Sequence, residues 1–263
     1  MNSAVKSLSK AVAFIPGGAT GLGRATASAI VQNGGKVAVM DTDIEFGQYL
    51  AQDLGPSCQF VVGSVTEREN IEVALKKGFE AFNLRYNLCL NCASQSHALK
   101  LFNKKHGKAN SFEYFWKPFT VNTIGSFNVL ATFVKELDSQ DVTEENKDVV
   151  FINKTLLYEG HELMTSYTSS KGAVKSMTVP ASRELAALGI RVCSISTGYF
   201  DTDKVEEIWS DNMKMNFIQG RMHPKFRLPH SEEFVHAVAT IFENKMLNGY
   251  DMKLDNANSL IYS

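Results

Sequence analysis

No apolar run in this chain approaches the roughly 20 residues a membrane-spanning helix needs, so none is expected. Net charge is nearly absent. The 27 basic and 28 acidic side chains leave −1 at neutral pH. No general attraction to nucleic acid or an anionic membrane follows, although a local basic patch stays open. Cysteine is scarce: Cys58, Cys89, Cys92 and Cys193 show no disulfide-framework spacing and read as reduced, buried thiols. Cys89-Leu90-Asn91-Cys92 has the C-x-x-C spacing of redox and zinc sites. It lies in an apolar run that reads as a strand, so its thiols would face different surroundings, and the structural reading is preferred. Repeats, low-complexity tracts and linker-like stretches are also missing, so one domain is expected over 1–263, with a short extension over 1–10. Acids are missing before Asp41, and the first ten residues are basic and serine-rich, as in mitochondrial targeting segments. The first strand should begin near Ala11, which leaves little room for a cleaved presequence. Any import signal is expected to stay on the protein.

Short apolar runs alternate with helix-period segments, the pattern of βαβ units around a parallel sheet. Strands are expected over 11–15, 36–40, 59–62, 88–91, 149–152, 191–195 and 251–254. Helices are expected over 22–33, 45–54, 67–82, 112–137, 167–188 and 232–244, with Pro180 kinking the fifth. The stretch 138–148 carries five acids and one lysine and reads as a solvated loop, with a docking surface for a basic partner as the alternative. The expected fold class is α/β: a single-domain, Rossmann-like, doubly wound sheet.

Gly17, Gly21 and Gly23 fall between the first strand and first helix. Glycines there permit a tight turn and close approach of backbone to a pyrophosphate, which then faces the helix amino terminus. Asp41, ending the second strand, is placed to accept from the adenosine ribose hydroxyls. Its charge would repel a 2′-phosphate, favouring NAD over NADP. Far downstream, Tyr167 and Lys171 stand four residues apart, on one helix face. A tyrosine normally titrates near ~10. A neighbouring lysine would lower that value and make the phenol a usable general acid/base.

With Gly17-x-x-x-Gly21-x-Gly23, Asp41, Asn122 and Tyr167-x-x-x-Lys171 in this order, the chain resembles the short-chain dehydrogenase/reductases nearly end to end. Within that family it is similar to the mitochondrial type-2 3-hydroxyacyl-CoA dehydrogenases, also called 17β-hydroxysteroid dehydrogenase type 10. The shared stretches are 17–25, 121–129, 167–172 and 247–249, and a Lys-rich insertion over 99–108 is typical of the subgroup. The resemblance implies a homotetramer. It also implies NAD(H)-linked interconversion of hydroxyacyl and oxoacyl thioesters, or of steroid alcohols and ketones. Subgroup members also scaffold mitochondrial RNase P beside a tRNA methyltransferase. By resemblance, Tyr167 is the general acid/base, and Lys171 tunes it and holds the nicotinamide ribose. Asn122, at a distortion of the long helix, anchors a water leading to Lys171. Leu22, Ser64, Val65, Asn91 and Ala93 join the glycines and Asp41 along the cofactor.

The family pattern breaks where it matters most. Its carbonyl-polarising serine lies thirteen residues before the tyrosine, and that position is Lys154. Thr155 carries a hydroxyl, but adjacent strand residues face opposite ways, so it could substitute only if the chain bulged. Pro16, Ser64, Ser94 and Thr197 are further departures around the same site. Two readings stay open: an NAD-linked dehydrogenase weakened by the loss of its serine, and an inactive structural subunit of a larger mitochondrial assembly. Direct nucleic-acid binding and a metal site are not expected.

Overall fold

The computed structural model describes residues 3–96, 98, 100–138, 148–156, 163–202 and 227–255. A seven-stranded sheet forms the centre, ordered β3-β2-β1-β4-β7-β8-β9, with every neighbouring pair parallel. Its strands are β1 (Val12–Pro16), β2 (Lys36–Asp41), β3 (Cys58–Val62), β4 (Leu88–Asn91), β7 (Val149–Leu156), β8 (Ile190–Thr197) and β9 (Asp251–Leu254). The order reverses between β1 and β4, which opens a crevice above their carboxyl ends. β1, β4 and β8 are buried throughout because helices cover both faces.

Alternation along each strand divides the core in two. Ala13 and Ile15 join one apolar cluster with Ile30, Leu50, Phe234 and Val238. Val12 and Phe14 join the other with Leu75, Tyr86, Val129 and Phe133. Helices α2 (Gly21–Gln32), α3 (Ile44–Leu54) and α8 (Ser231–Glu243) therefore cover one face. Helices α4 (Arg68–Phe82), α6 (Gly125–Asp138) and α7 (Thr165–Leu185) cover the other. Cys89 and Cys92 fall in opposite clusters, so the C-x-x-C spacing brings no pair of thiols together. The amino-terminal turn α1 (Ser3–Lys6) leads into a 3-10 turn whose Leu8 is fully buried, so this extension contributes to the core.

Several elements depart from the expected bounds. The helix expected over 112–137 is three segments: α5 (Phe112–Pro118), a π-turn (Phe119–Ile124) and α6. The wide turn is the distortion that buries Asn122. Pro180 does not end α7. β7 runs four residues beyond the expected 152 and stays paired to Leu156↔Thr197. The lysine-rich insertion includes a small hairpin, β5 (Phe102–Asn103) with β6 (Lys108–Ala109). The acidic stretch expected as a loop over 138–148 lies outside the described residues apart from its two ends.

Two polar clusters brace the far side of the sheet. Arg191, almost buried on β8, donates to the carbonyls of Ile241, Phe242, Asn244 and Leu247 and pairs with Asp148 at 3.1 Å. It satisfies acceptors that the end of α8 leaves free. On β9, the Asp251 carboxylate accepts from Ser194 at 2.5 Å and Ser196 at 2.7 Å, and pairs with Lys175 of α7 at 2.8 Å.

Candidate active site

A cleft of about 780 Å³ opens above the carboxyl ends of the central strands. Gly17, Gly21, Leu22, Gly23, Asp41, Ser64, Val65, Ala93, Lys154 and Tyr167 all line it. Gly17 has φ +71°, and a Cβ there would stand 2.4 Å from the Ala93 amide nitrogen. A Cβ on Gly23 would stand 2.3 Å from the Gly17 carbonyl. Gly21, also at positive φ, has nothing within 4 Å of its Cβ position, so its exposed side is open. Thr20 leaves the start of α2 without a side-chain cap, so the first amides keep capacity for an anion. Pro16 has no N–H to give, but its carbonyl accepts from Cys92 N at 2.9 Å, and Gly17 N donates to Met40 O at 2.8 Å. The loop is thus stitched between β2 and β4 despite the proline.

Asp41 is half-buried at the end of β2. One carboxylate oxygen accepts from Ala19 N at 3.0 Å and the other from Asp43 N at 3.2 Å. Each oxygen retains a lone pair for a ribose hydroxyl. Ser64 spends its hydroxyl nearby, 2.8 Å from the Thr66 hydroxyl.

At the other end, β7 and α7 bring Lys154, Tyr167 and Lys171 together. Lys154 lines the cleft and is half-buried; Tyr167 lines it and is nearly buried. Lys171 is buried behind them and donates to the Lys154 carbonyl at 3.2 Å. Desolvation, followed by the charge of Lys154, pulls the Lys171 amine down to about 7. Among the described residues no carboxylate pairs with either lysine. Thr155 does not enter the cleft. The β7–β8 register is unbroken, with Lys154↔Ile195 and Thr155↔Ser196, so no bulge turns Thr155 round. It is fully buried on the opposite face, 2.8 Å from the Ser196 hydroxyl. The expectation that Thr155 could supply the missing hydroxyl is corrected.

The two asparagines also act inside the protein. Asn122 accepts from Gln95 N at 2.8 Å and donates to Gln95 O at 2.9 Å and Ser170 Oγ at 2.8 Å. Its amide ties the loop after β4 to α7. Asn91 was expected beside the cofactor ribose, but its side chain is buried, donating to Ser126 Oγ at 2.8 Å and Asn153 Oδ1 at 3.1 Å. The register Asn91↔Asn153 turns it inward. Cys92 lines the cleft in its place, an assignment sequence reading missed. Burial pushes its thiol up to about 11, despite the opposing pull of Lys154 and Lys171. Its position one residue beyond β4, at the mouth of the crevice, was the available signal.

The titration of Lys171 carries a testable consequence. An unfolded chain keeps this amine protonated to about pH 10. Between about pH 7 and that value the unfolded state binds the extra proton, so this group makes stability rise with pH. Below about 7 both states are protonated, and the full cost of burying the charge is present. Urea titrations from about pH 7 to 8.5 should show stability rising relative to Lys171→Met, which carries the same four cysteines and so cancels their ionisation. Parallel curves for the two proteins would refute the assignment.

The pattern of the short chain dehydrogenase family matches residues 11–213. The chain is 35% identical to 3-hydroxyacyl-CoA dehydrogenase type-2 of Bos taurus over 259 residues, which cover 98% of each protein. The Drosophila melanogaster protein of that name is 31% identical over 95% of this chain and 98% of its own length. The crystal structure of 3-hydroxyacyl-CoA dehydrogenase type-2 from Mycobacterium avium superposes with a TM-score of 0.87, at 26% identity and 98% coverage of both chains. The sheet order, the glycine cradle and these full-length similarities place the chain in the short-chain dehydrogenase family, as an oxidoreductase of the 3-hydroxyacyl-CoA dehydrogenase type lineage.

Proposed function

We propose that the chain is an NAD(H)-linked dehydrogenase of 3-hydroxyacyl-CoA or hydroxysteroid type whose turnover is weakened at one point, Lys154. The observation that carries this reading is the juxtaposition of Lys154 and Tyr167 in a cleft whose other end is a glycine cradle closed by Asp41. The cradle fits a dinucleotide: a Cβ on Gly17 or Gly23 would collide with backbone, while Gly21 and the uncapped start of α2 stay open. Gly17, Gly21, Leu22 and Gly23 would hold the diphosphate, Asp41 the adenosine ribose, and Ser64, Val65 and Ala93 the adjoining wall. The bound cofactor supplies hydride to a carbonyl carbon or takes it back from an alcohol.

The protein's own part is the proton and the oxygen. Tyr167 gives its phenolic proton to the substrate oxygen during reduction, and takes it back during oxidation. Lys171, one helical turn on, supplies positive charge from behind. Lys154 stands where a neutral donor would polarise the carbonyl. Its ammonium can donate too, but on a long stem that occupies substrate space. Loss of a well-aimed donor costs ~3–4 kcal/mol of transition-state stabilisation.

A second reading is an inactive subunit of a larger, mitochondrial assembly that keeps the fold alone. It is favoured by the closeness of the two lysines, Lys171 donating to the Lys154 carbonyl, with no carboxylate paired to either among the described residues, an arrangement ill suited to a working proton relay. Homo-oligomer formation belongs to either reading. The test is NADH oxidation by the purified protein with acetoacetyl-CoA, run beside Tyr167→Phe. Slow turnover that Tyr167→Phe abolishes supports the dehydrogenase. Turnover indifferent to Tyr167→Phe would remove Tyr167 from the chemistry, and none in either protein would favour the structural subunit.

A further inference from the structure

The charged side chains among the described residues lining the cleft are Asp41 and Lys154, and they stand at opposite ends. Asp41 closes β2, and Lys154 lies near the end of β7, with β1 and β4 between them. At about 4.8 Å per strand, the two positions are on the order of 14 Å apart across the sheet. On the cofactor reading above, on which this inference rests, Asp41 takes the adenosine ribose. The nicotinamide then falls at the Lys154 and Tyr167 end.

That end is cationic. Lys154 is in the wall, and the buried Lys171 sits behind it with its amine on the Lys154 carbonyl. The side chains beside it, Cys92, Met164, Tyr167 and Thr197, include no carboxylate. Among the described residues no carboxylate pairs with Lys154, and the cleft's one acid, Asp41, stands at the far end. The two redox forms of the cofactor share the same diphosphate, so attraction to that group strengthens both alike. They differ at the ring, which is positively charged when oxidised and neutral when reduced.

We infer that Lys154 makes the cleft select the reduced cofactor, binding NADH in preference to NAD⁺. A serine at this position would polarise a carbonyl without distinguishing the two rings. A lysine adds one unit charge beside a ring whose own charge changes by one. In a partly buried site such a pair shifts the affinity ratio by about tenfold or more. The exchange that weakens catalysis thereby biases the cleft toward carbonyl reduction, or toward reporting the NADH level if turnover is absent.

Fluorescence or calorimetric titration of the full chain with NADH and with NAD⁺, at fixed ionic strength, tests this. Wild type should bind NADH about tenfold more tightly or better. Lys154→Met, neutral and similar in length, should reduce that ratio by about tenfold, mainly by tightening NAD⁺. Lys154→Arg should keep it, because charge rather than shape carries the effect. Lys154→Gln replaces the methionine variant if thermal melting shows that the latter fails to fold. A ratio unmoved in the neutral variants, with both forms still binding, overturns the inference and leaves the cofactor site standing. No binding of either form to any variant removes the cofactor reading and the inference with it.

Discussion

Lys154→Ser should raise acetoacetyl-CoA-dependent NADH oxidation by about two decades. It places a short hydroxyl donor at the carboxyl end of β7, beside Tyr167, and clears the long stem of Lys154 from the substrate space. Removing a carbonyl-polarising donor costs ~3–4 kcal/mol, or two to three decades in rate, and restoring one should regain much of that. The same change relieves Lys171. Its amine is depressed first by desolvation and second by the charge of Lys154. Without that charge Lys171 titrates higher and keeps its proton further into the alkaline range. The gain should therefore widen above about pH 7, where Lys171 in the wild type loses its charge. Steady-state rates across that range, beside the double variant Lys154→Ser/Tyr167→Phe, check both statements. A Lys154→Ser protein as slow as wild type would mean that the other departures, at Ser94 or Thr197, suffice to hold turnover down. Full activity surviving Tyr167→Phe would remove the tyrosine from the mechanism.

Arg191→Met should lower folding stability by about 3 kcal/mol or more. The guanidinium is almost wholly buried, donates to four main-chain carbonyls around the end of α8, and pairs with Asp148. Methionine keeps most of the stem and removes every donor. Buried acceptors are then stranded at a cost of ~1–3 kcal/mol each, with incomplete additivity. Losing the ion pair adds less than the ~3–5 kcal/mol of a fully buried pair, because the Asp148 side chain is one-third exposed. Asp148 keeps Lys245 at 3.2 Å, which softens that part. Lysine should rescue less than half, because one ammonium cannot span acceptors that a planar fork reaches together. Urea denaturation of wild type, Arg191→Met and Arg191→Lys measures the three values. Coincident midpoints would show that water enters and replaces the lost donors.

Much of the architecture is legible in short stretches of the chain because its signals are local. Apolar runs of strand length, Gly34-Gly35 after the first helix, and a glycine triplet at a strand–helix junction need no distant partner to be read. What failed to be legible depends on pairing across the sheet. β7 reads as ending at Ile152 because Asn153, Lys154 and Thr155 are polar. Its pairing with β8 carries it to Leu156 and decides that Lys154 faces the cleft while Thr155 faces away. Asn91 looks like a cleft residue until its register with Asn153 turns it inward. The π-turn over Phe119–Ile124 inserts a change of phase into a helix that periodicity alone reads as continuous. Arg191 is silent in the sequence, since its partners lie forty to sixty residues away, Asp148 upstream and the carbonyls around the end of α8 downstream.

The Asp251 cluster has a consequence for how the sheet comes apart. β9 is an edge strand without a fully buried residue, and it is joined to its neighbours by the carboxylate that Ser194, Ser196 and Lys175 share. Beyond its backbone ladder to β8 and the partial packing of Met252 and Leu254, cohesion at that edge rests on ionic and directional contacts, while β1 and β4 are held by packing on both faces. Amide protons on β9 should exchange through local opening, well before the global transition that frees β1 and β4. Added salt should hasten the former more than the latter. The sheet is thus graded in cooperativity from its centre to its last strand, and its hinge of least resistance lies on the side away from the glycine loop.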